Sequence, residues 1–340
     1  MTPLQFKGCI VRREAGVSLV ELMVAMVLGL FLMFGAVTVY NQSRATYRTN
    51  EAVSRLQEVG RLALNVIETD VRMANYWGLS NRADYIINAA GPDDPPASGF
   101  TGEQLDRIDV CGGDDSNWAV NLRSYIEGSN NSYGLVGTSC QAYKVAETNA
   151  DTITVRRASD TQPTTLDTTR VYLQTSRIQG TLFVPGCATP TNTACIPAAY
   201  SPPASQSRQL VVHSYYVDRQ STMQTNLPSL RRKTFSEVTT GTGVRDEEIA
   251  AGVEDLQVQF GIDTTNDTNA DQYVDPDDVP AGASIVSATI WLRIRSEEPE
   301  QSQKDSRSYQ YADMAAAYVP NDKYRRIVVS KTIQLRNTRT

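Results

Sequence analysis

The spacing of apolar and polar positions along this 340-residue chain changes character twice. From Val17 to Tyr40 (VSLVELMVAMVLGLFLMFGAVTVY) nearly every residue is apolar, and Glu21 is the single charge. As a helix this run reaches about 36 Å, enough to cross a hydrocarbon core of roughly 30 Å. Further on, Val53, Leu56, Val59, Ala63, Ile67 and Ala74 recur at three- or four-residue spacing, with Arg44, Arg48, Glu51, Arg55, Glu58 and Arg61 among the polar positions. Glu51 and Arg55 form a favourable i,i+4 pair. No proline interrupts residues 4–91. The pattern therefore predicts one helix from about Val17 to about Asn75, weakened locally at Gly29 and Gly35.

Beyond Trp77 the texture becomes strand-like. Runs rich in β-branched and aromatic residues occupy 152–156, 170–174, 210–217, 256–262, 285–295 and 326–335. Loops rich in Pro, Gly, Asn and Asp separate them, notably 91–99, 185–205 and 263–284. A short helical pattern lies near 246–252. The predicted class is α+β: a long N-terminal helix whose amphipathic second half packs on a mainly antiparallel sheet with long loops. Neither an internal repeat nor a firm second-domain boundary is visible.

Composition narrows the function. The chain is 41% hydrophobic and 21% charged with a formal net charge of -6, which fits a folded protein and carries no electrostatic footprint for nucleic acid. The basic clusters Arg231, Arg232, Lys233 and Arg325, Arg326, Lys331, Arg336, Arg339 alternate along predicted strands, which favours a solvated sheet edge or a subunit contact over a DNA site. The one histidine, His213, rules out multi-histidine metal centres; within LVVHSYY it reads as a packing or hydrogen-bonding residue. Nucleophile-elbow, phosphate-loop and zinc-protease motifs are absent, so catalysis is not indicated.

The acidic stretch GIDTTNDTNADQYVDPDDV, residues 261–279, spaces oxygen side chains as a hard cation such as calcium requires. Two ligand registers compete. One uses Asp263, Thr265, Asp267, Asn269 and Asp271; the other uses Asp267, Asn269, Asp271, the Tyr273 carbonyl and Asp278. Both lack a glycine at the sharp turn and a closing bidentate glutamate.

Residues 1–16, MTPLQFKGCIVRREAG, set Lys7, Arg12 and Arg13 against Glu14, so this end stays cytoplasmic and the remainder faces outward. An ordinary secretory signal peptide does not fit. Its apolar region is shorter and ends in a small-x-small site, whereas here Met33 or Phe34 takes the first small position, two residues before Gly35 or Ala36. Glu21 costs a few kcal/mol in hydrocarbon, and such a residue normally has a partner. Cleavage after Gly16 would free the Val17 amine and make Glu21 the fifth residue, so that the amine of one subunit neutralises the carboxylate of its neighbour. The same cut removes Cys9 and leaves Cys111, Cys140, Cys187 and Cys195, which allow three pairings. Proximity favours Cys111–Cys140 and Cys187–Cys195, worth about 3.6 and about 2.6 kcal/mol by loop entropy, in an oxidising compartment.

The spacing Gly16–Val17–x–x–x–Glu21 before an apolar helix resembles the prepilin processing signature of the type IV pilin and pseudopilin family, with Val17 where the family usually has Phe. Five further segments resemble the PilW-type minor pilins in order and spacing: DVRMANYWG (70–78), LVVHSYYVDR with PSLRRK (210–219 and 228–233), GVEDLQVQFGID with the acidic loop and QYVD (252–275), VSATIWLRIRS (286–296) and RRIVVSKTIQLRN (325–337). Thr265, Asn266 and Thr268 depart from the family's acids and glycines, which weakens the metal reading.

The resemblance implies a pilin-like fold. Residues 1–16 are a leader that a prepilin peptidase removes, methylating Val17 and leaving a net charge of -8. Residues 17–40 form the transmembrane and filament-core helix, 41–76 its amphipathic continuation, and 77–340 a β-rich domain in the periplasm and later outside the cell. It further implies a minor pilin of the inner membrane that primes filament assembly with other minor pilins and the major pilin, near the tip, and helps present a large tip adhesin. No cofactor is required and no nucleic acid is expected. The alternative within filaments is a minor pseudopilin of type II secretion; a DNA-binding competence pilin and a membrane-anchored enzyme are the readings from other classes.

Overall fold

The computed structural model describes residues 16–89, 100–112, 117–186, 205–238, 243–300 and 304–338. The chain divides into two compact units, residues 1–53 and 54–340. Helix α1 (Leu19–Met73) begins in the first and ends in the second. From Leu19 to Tyr47 its apolar side chains are exposed: Leu19 is 75%, Phe31 72% and Phe34 75% accessible. Gly29 and Gly35 leave the helix unbroken, and a Cβ at either would meet nothing.

In the second unit α1 buries Leu56, Ala63, Leu64, Ile67 and Val71, close to the stripe expected from the heptad-like spacing. Gly60 lets the helix approach the sheet: a Cβ there would lie 2.9 Å from Ile294 Cδ1 and 3.2 Å from Val329 Cγ2.

After α1 come β1 (Ile86–Ile87), α2 (Gly102–Ile108), β2 (Ile126–Ser129), β3 (Thr152–Ala158), β4 (Tyr172–Thr175) and β5 (Gly180–Phe183). They are followed by β6 (Gln206–Asp218), β7 (Ser229–Phe235), β8 (Val244–Ala251), β9 (Val253–Asp263), β10 (Gln272–Val274), β11 (Ser284–Arg295) and β12 (Arg326–Gln334). One sheet runs β1-β5-β4-β6-β3-β2, with β7 joined to β6 and β8 to β7; the other runs β10-β9-β11-β12. Every named pairing is antiparallel except β1 with β5. The architecture is α+β, as the sequence predicts.

Two apolar clusters hold these layers. One joins the buried side of α1 to Ile153, Tyr215, Leu256, Val258, Ile290, Leu292 and Ile333; the other gathers Trp77, Ile108, Trp118, Leu173, Leu182 and Val212. The Cys111–Cys140 disulfide sits in the second and closes the predicted loop. Cys9, Cys187 and Cys195 lie outside the described residues.

Three expectations change. The helical pattern near 246–252 is strand β8, because its acids pair in register with the cations of β7. The helix begins at Leu19 rather than Val17, because Ser18 caps it. Helix α2 was not expected; Thr101 and Gln104 give it a capping box.

Candidate processing and assembly site

The site begins where the basic leader meets the apolar run. Gly16 and Val17 precede the helix outside any regular element, and a Cβ at Gly16 would meet nothing within 4 Å. The chain's own packing therefore does not require glycine there. Ser18 Oγ accepts the Glu21 backbone N–H at 3.2 Å, and Glu21 Oε2 accepts the Ser18 N–H at 2.9 Å. This reciprocal pair is a capping box, Ser-x-x-Glu, and it satisfies two of the donors a helix start leaves open. Glu21 thus has a use inside its own chain, separate from any counter-charge it meets in the membrane. The Ser18-to-Glu21 spacing was the available signal.

The capping box leaves the exposed apolar surface unexplained. The helix is long and apolar enough to cross a membrane, with none of its most apolar window buried in the chain. Exposure of Val20, Leu22, Val24, Val27, Leu28 and Leu30 on all sides of one helix calls for lipid or other helices.

Residues 11–37 match the model of the prokaryotic N-terminal methylation motif, and residues 214–337 match that of the Type IV Pilus-assembly protein W family. A prepilin-type N-terminus and a C-terminal third similar to the PilW-type pilins thus occur on one chain. A type IV-like pilin from Thermus thermophilus is similar at 12% identity and a TM-score of 0.29, over 56% of this chain and 81% of that one. No curated protein matches.

The second half of α1 is fixed to the sheet by buried polar contacts as well as by apolar packing. Asp70 Oδ2 lies 2.6 Å from His213 Nδ1 and accepts the Tyr215 hydroxyl at 2.5 Å; Asp70 Oδ1 takes Arg157 at 2.8 Å. Burial pushes the Asp70 pKa up, but His213, Arg157 and Tyr215 outweigh it and hold the carboxyl well below the ordinary aspartate range. His213 is thus a hydrogen-bonding residue of strand β6, as its position predicts.

The first basic cluster is neutralised by the adjacent strand, which corrects its reading as a solvated edge. Arg231, Arg232 and Lys233 face Glu248, Glu247 and Asp246 across the β7–β8 ladder. Arg231 reaches Asp246 at 2.6 Å and Glu248 at 3.2 Å, Arg232 reaches Glu247 at 2.6 Å, and Lys233 reaches Asp246 at 2.8 Å. Arg231 and Lys233 are buried. In the second cluster Arg325 pairs with Glu300, Arg326 with Glu254 and Asp322, and Lys331 with Glu68. Arg336 is exposed, and Arg339 lies outside the described residues.

In the acidic loop the carboxylates take backbone donors. Asp263 accepts the N–H groups of Thr265, Asn266, Asp267 and Thr268 at 2.6–3.3 Å; burial pushes its carboxyl up, and these donors outweigh that and hold it low. Asp271 accepts the hydroxyl and N–H of Thr264 at 2.7 Å, and Asp267 accepts the Asn269 N–H at 2.8 Å. Asp278 sits in a separate turn after Pro276. The described residues contain no cluster of three or more His, Cys, Asp or Glu placed to hold a metal. A cation at Asp263, Thr265, Asp267, Asn269 and Asp271 would have to displace these donors.

Proposed function

We propose that this pilin is cut after Gly16, N-methylated at Val17, and inserted as a minor subunit that primes type IV pilus assembly with other minor pilins at or near the filament tip. There it helps present a tip adhesin and so supports adhesion and twitching motility. The supporting observation is Glu21, a carboxylate at the fifth position after Gly16 on an otherwise apolar helix with no internal packing. In a helical bundle the Val17 amine of a neighbouring subunit supplies the counter-charge. Because Glu21 is retained, a subunit can stack above this one, so it need not occupy the topmost position.

Gly16→Leu is expected to leave the full-length precursor in the membrane; normal processing of that variant would refute the reading. Deletion of the gene is expected to remove surface pili and twitching. Loss of exoprotein secretion with pili intact would place the subunit in a type II secretion pseudopilus instead.

A further inference from the structure

Strand β12 forms one edge of the four-stranded sheet, paired with β11 on one side and with no strand of the described residues on the other. At its ends the Leu335 N–H donates to Val286 O at 2.9 Å and the Ser296 N–H donates to Arg325 O at 2.8 Å. The β11–β12 register has no shift between these points. Antiparallel ladder bonds alternate, so the odd-numbered residues of β12 bond β11 and the even-numbered ones direct their N–H and C=O outward. The first outward carbonyl, that of Arg326, accepts Arg307 Nη2 at 2.9 Å. After it, the backbone groups of Val328, Ser330, Thr332 and Gln334 have no partner among the described residues. This stretch contains neither a proline nor a bulge to blunt it. Its one charge, Lys331, is drawn onto Glu68 Oε2 at 2.5 Å.

The edge leads into an open cleft of about 660 Å³ between the end of α1 and the chain leaving β12, lined by Glu68, Thr69, Arg72, Met73, Arg336 and Asn337. Arg72 and Arg336 outnumber Glu68 there. Glu68 serves Arg72 at 3.4 Å as well as Lys331, whereas Arg336 is exposed and has no partner among the described residues.

We propose that the β12 edge docks an extended, acidic segment of a different subunit. The segment adds as a strand beside Val328–Gln334 and places a carboxylate in the cleft against Arg336. Main-chain hydrogen bonds would supply affinity, and the cleft would supply selectivity. A second copy of β12 is a poor occupant: antiparallel edge pairing centred on Lys331 sets lysine against lysine and, in the same register, Arg326 against Arg336. The inference rests on the filament reading above.

The test uses the full chain in its own filament-assembling cells. Ser330→Pro and Thr332→Pro remove outward donors and leave the bonds to β11 in place. Ser330→Ala and Thr332→Ala keep those donors and serve as controls. The proline variants and Arg336→Glu are expected to be processed normally and to lower surface filaments at least tenfold, with the alanine variants unchanged. Proline variants that accumulate and assemble like wild type overturn the proposal, as do Thr332→Cys chains that cross-link to one another. If the proline variants fail to accumulate, amide exchange of the unsubstituted chain decides. Val328, Ser330, Thr332 and Gln334 should exchange at least tenfold more slowly in filaments than in detergent, and equal rates refute the docking. Failure of the filament reading is distinguished by Glu21→Leu: if that variant assembles normally, the wider reading falls, whatever the edge does.

Discussion

Asp70 and Asp151 are two buried carboxylates whose surroundings push in opposite directions. Asp70 is held low by His213, Arg157 and Tyr215 despite its burial. Asp151 is pushed up to about 7, first by burial and then by the charges of Asp313 and Asp255, against the N–H groups of Asn131 and Val258 that it accepts at 2.8 and 2.7 Å. A carboxyl lowered by folding adds stability above its unfolded pKa and loses it as the pH falls towards its folded value. One raised by folding does the reverse: the native state binds the extra proton, and stability declines as pH rises from about 4 to about 7. Asp151→Asn is therefore expected to flatten the pH dependence of unfolding between pH 4 and pH 7, measured by denaturant titration of the full chain in detergent. An unchanged slope would show that Asp151 is ionised throughout. Asp70→Asn leaves the half-buried Arg157 without its counter-charge and the buried His213 without its carboxylate, and should cost about 3 kcal/mol in the same titration. At the acidic loop the carboxylates of Asp263 and Asp271 already hold backbone donors, so added calcium is expected to leave the melting temperature unchanged; a rise would establish a cation site there.

Among the elements, the contact between α1 and its sheet is close at Gly60, where a methyl group would press on Ile294 Cδ1 at 2.9 Å and Val329 Cγ2 at 3.2 Å. Gly60→Ala should destabilise the domain by about 1–3 kcal/mol, despite alanine's better helix propensity, and a gain in stability would contradict this packing. The same contrast explains which elements were legible in the sequence. Strands β3, β6, β9, β11 and β12 announce themselves in runs such as LVVHSYYV and IVSATIWLRIR, because their residue types favour a half-buried pleat. The short strands β1, β2, β5 and β10 have two to four residues each and are defined by their partners more than by their own pattern. Strand β8, VRDEEIAA, favours helix locally and becomes a strand because the Arg231–Lys233 segment runs beside it. At the candidate site, the Gly16–Val17–x–x–x–Glu21 spacing is itself a feature of the sequence. The Asp70 cluster could not, since its partners lie 87 to 145 residues away along the chain.

For the whole molecule, the contrast between its two units carries the functional argument. Residues 54–340 bury two apolar clusters of their own, whereas the apolar side chains between Val17 and Tyr40 remain exposed. In the function proposed above, lipid covers those side chains before assembly and neighbouring subunit helices cover them afterwards. Glu21 gains its counter-charge only in the second setting. Glu21→Leu should thus keep the chain in the membrane, cost the helix start about 1 kcal/mol through the lost capping box, and abolish incorporation into filaments. Incorporation at the wild-type level would mean that no amine pairs with this carboxylate.

The most direct test is the intact mass of the native chain purified from its own membrane. A polypeptide beginning at Val17 with one added methyl group is the predicted result. A polypeptide that begins at Met1 would contradict the account.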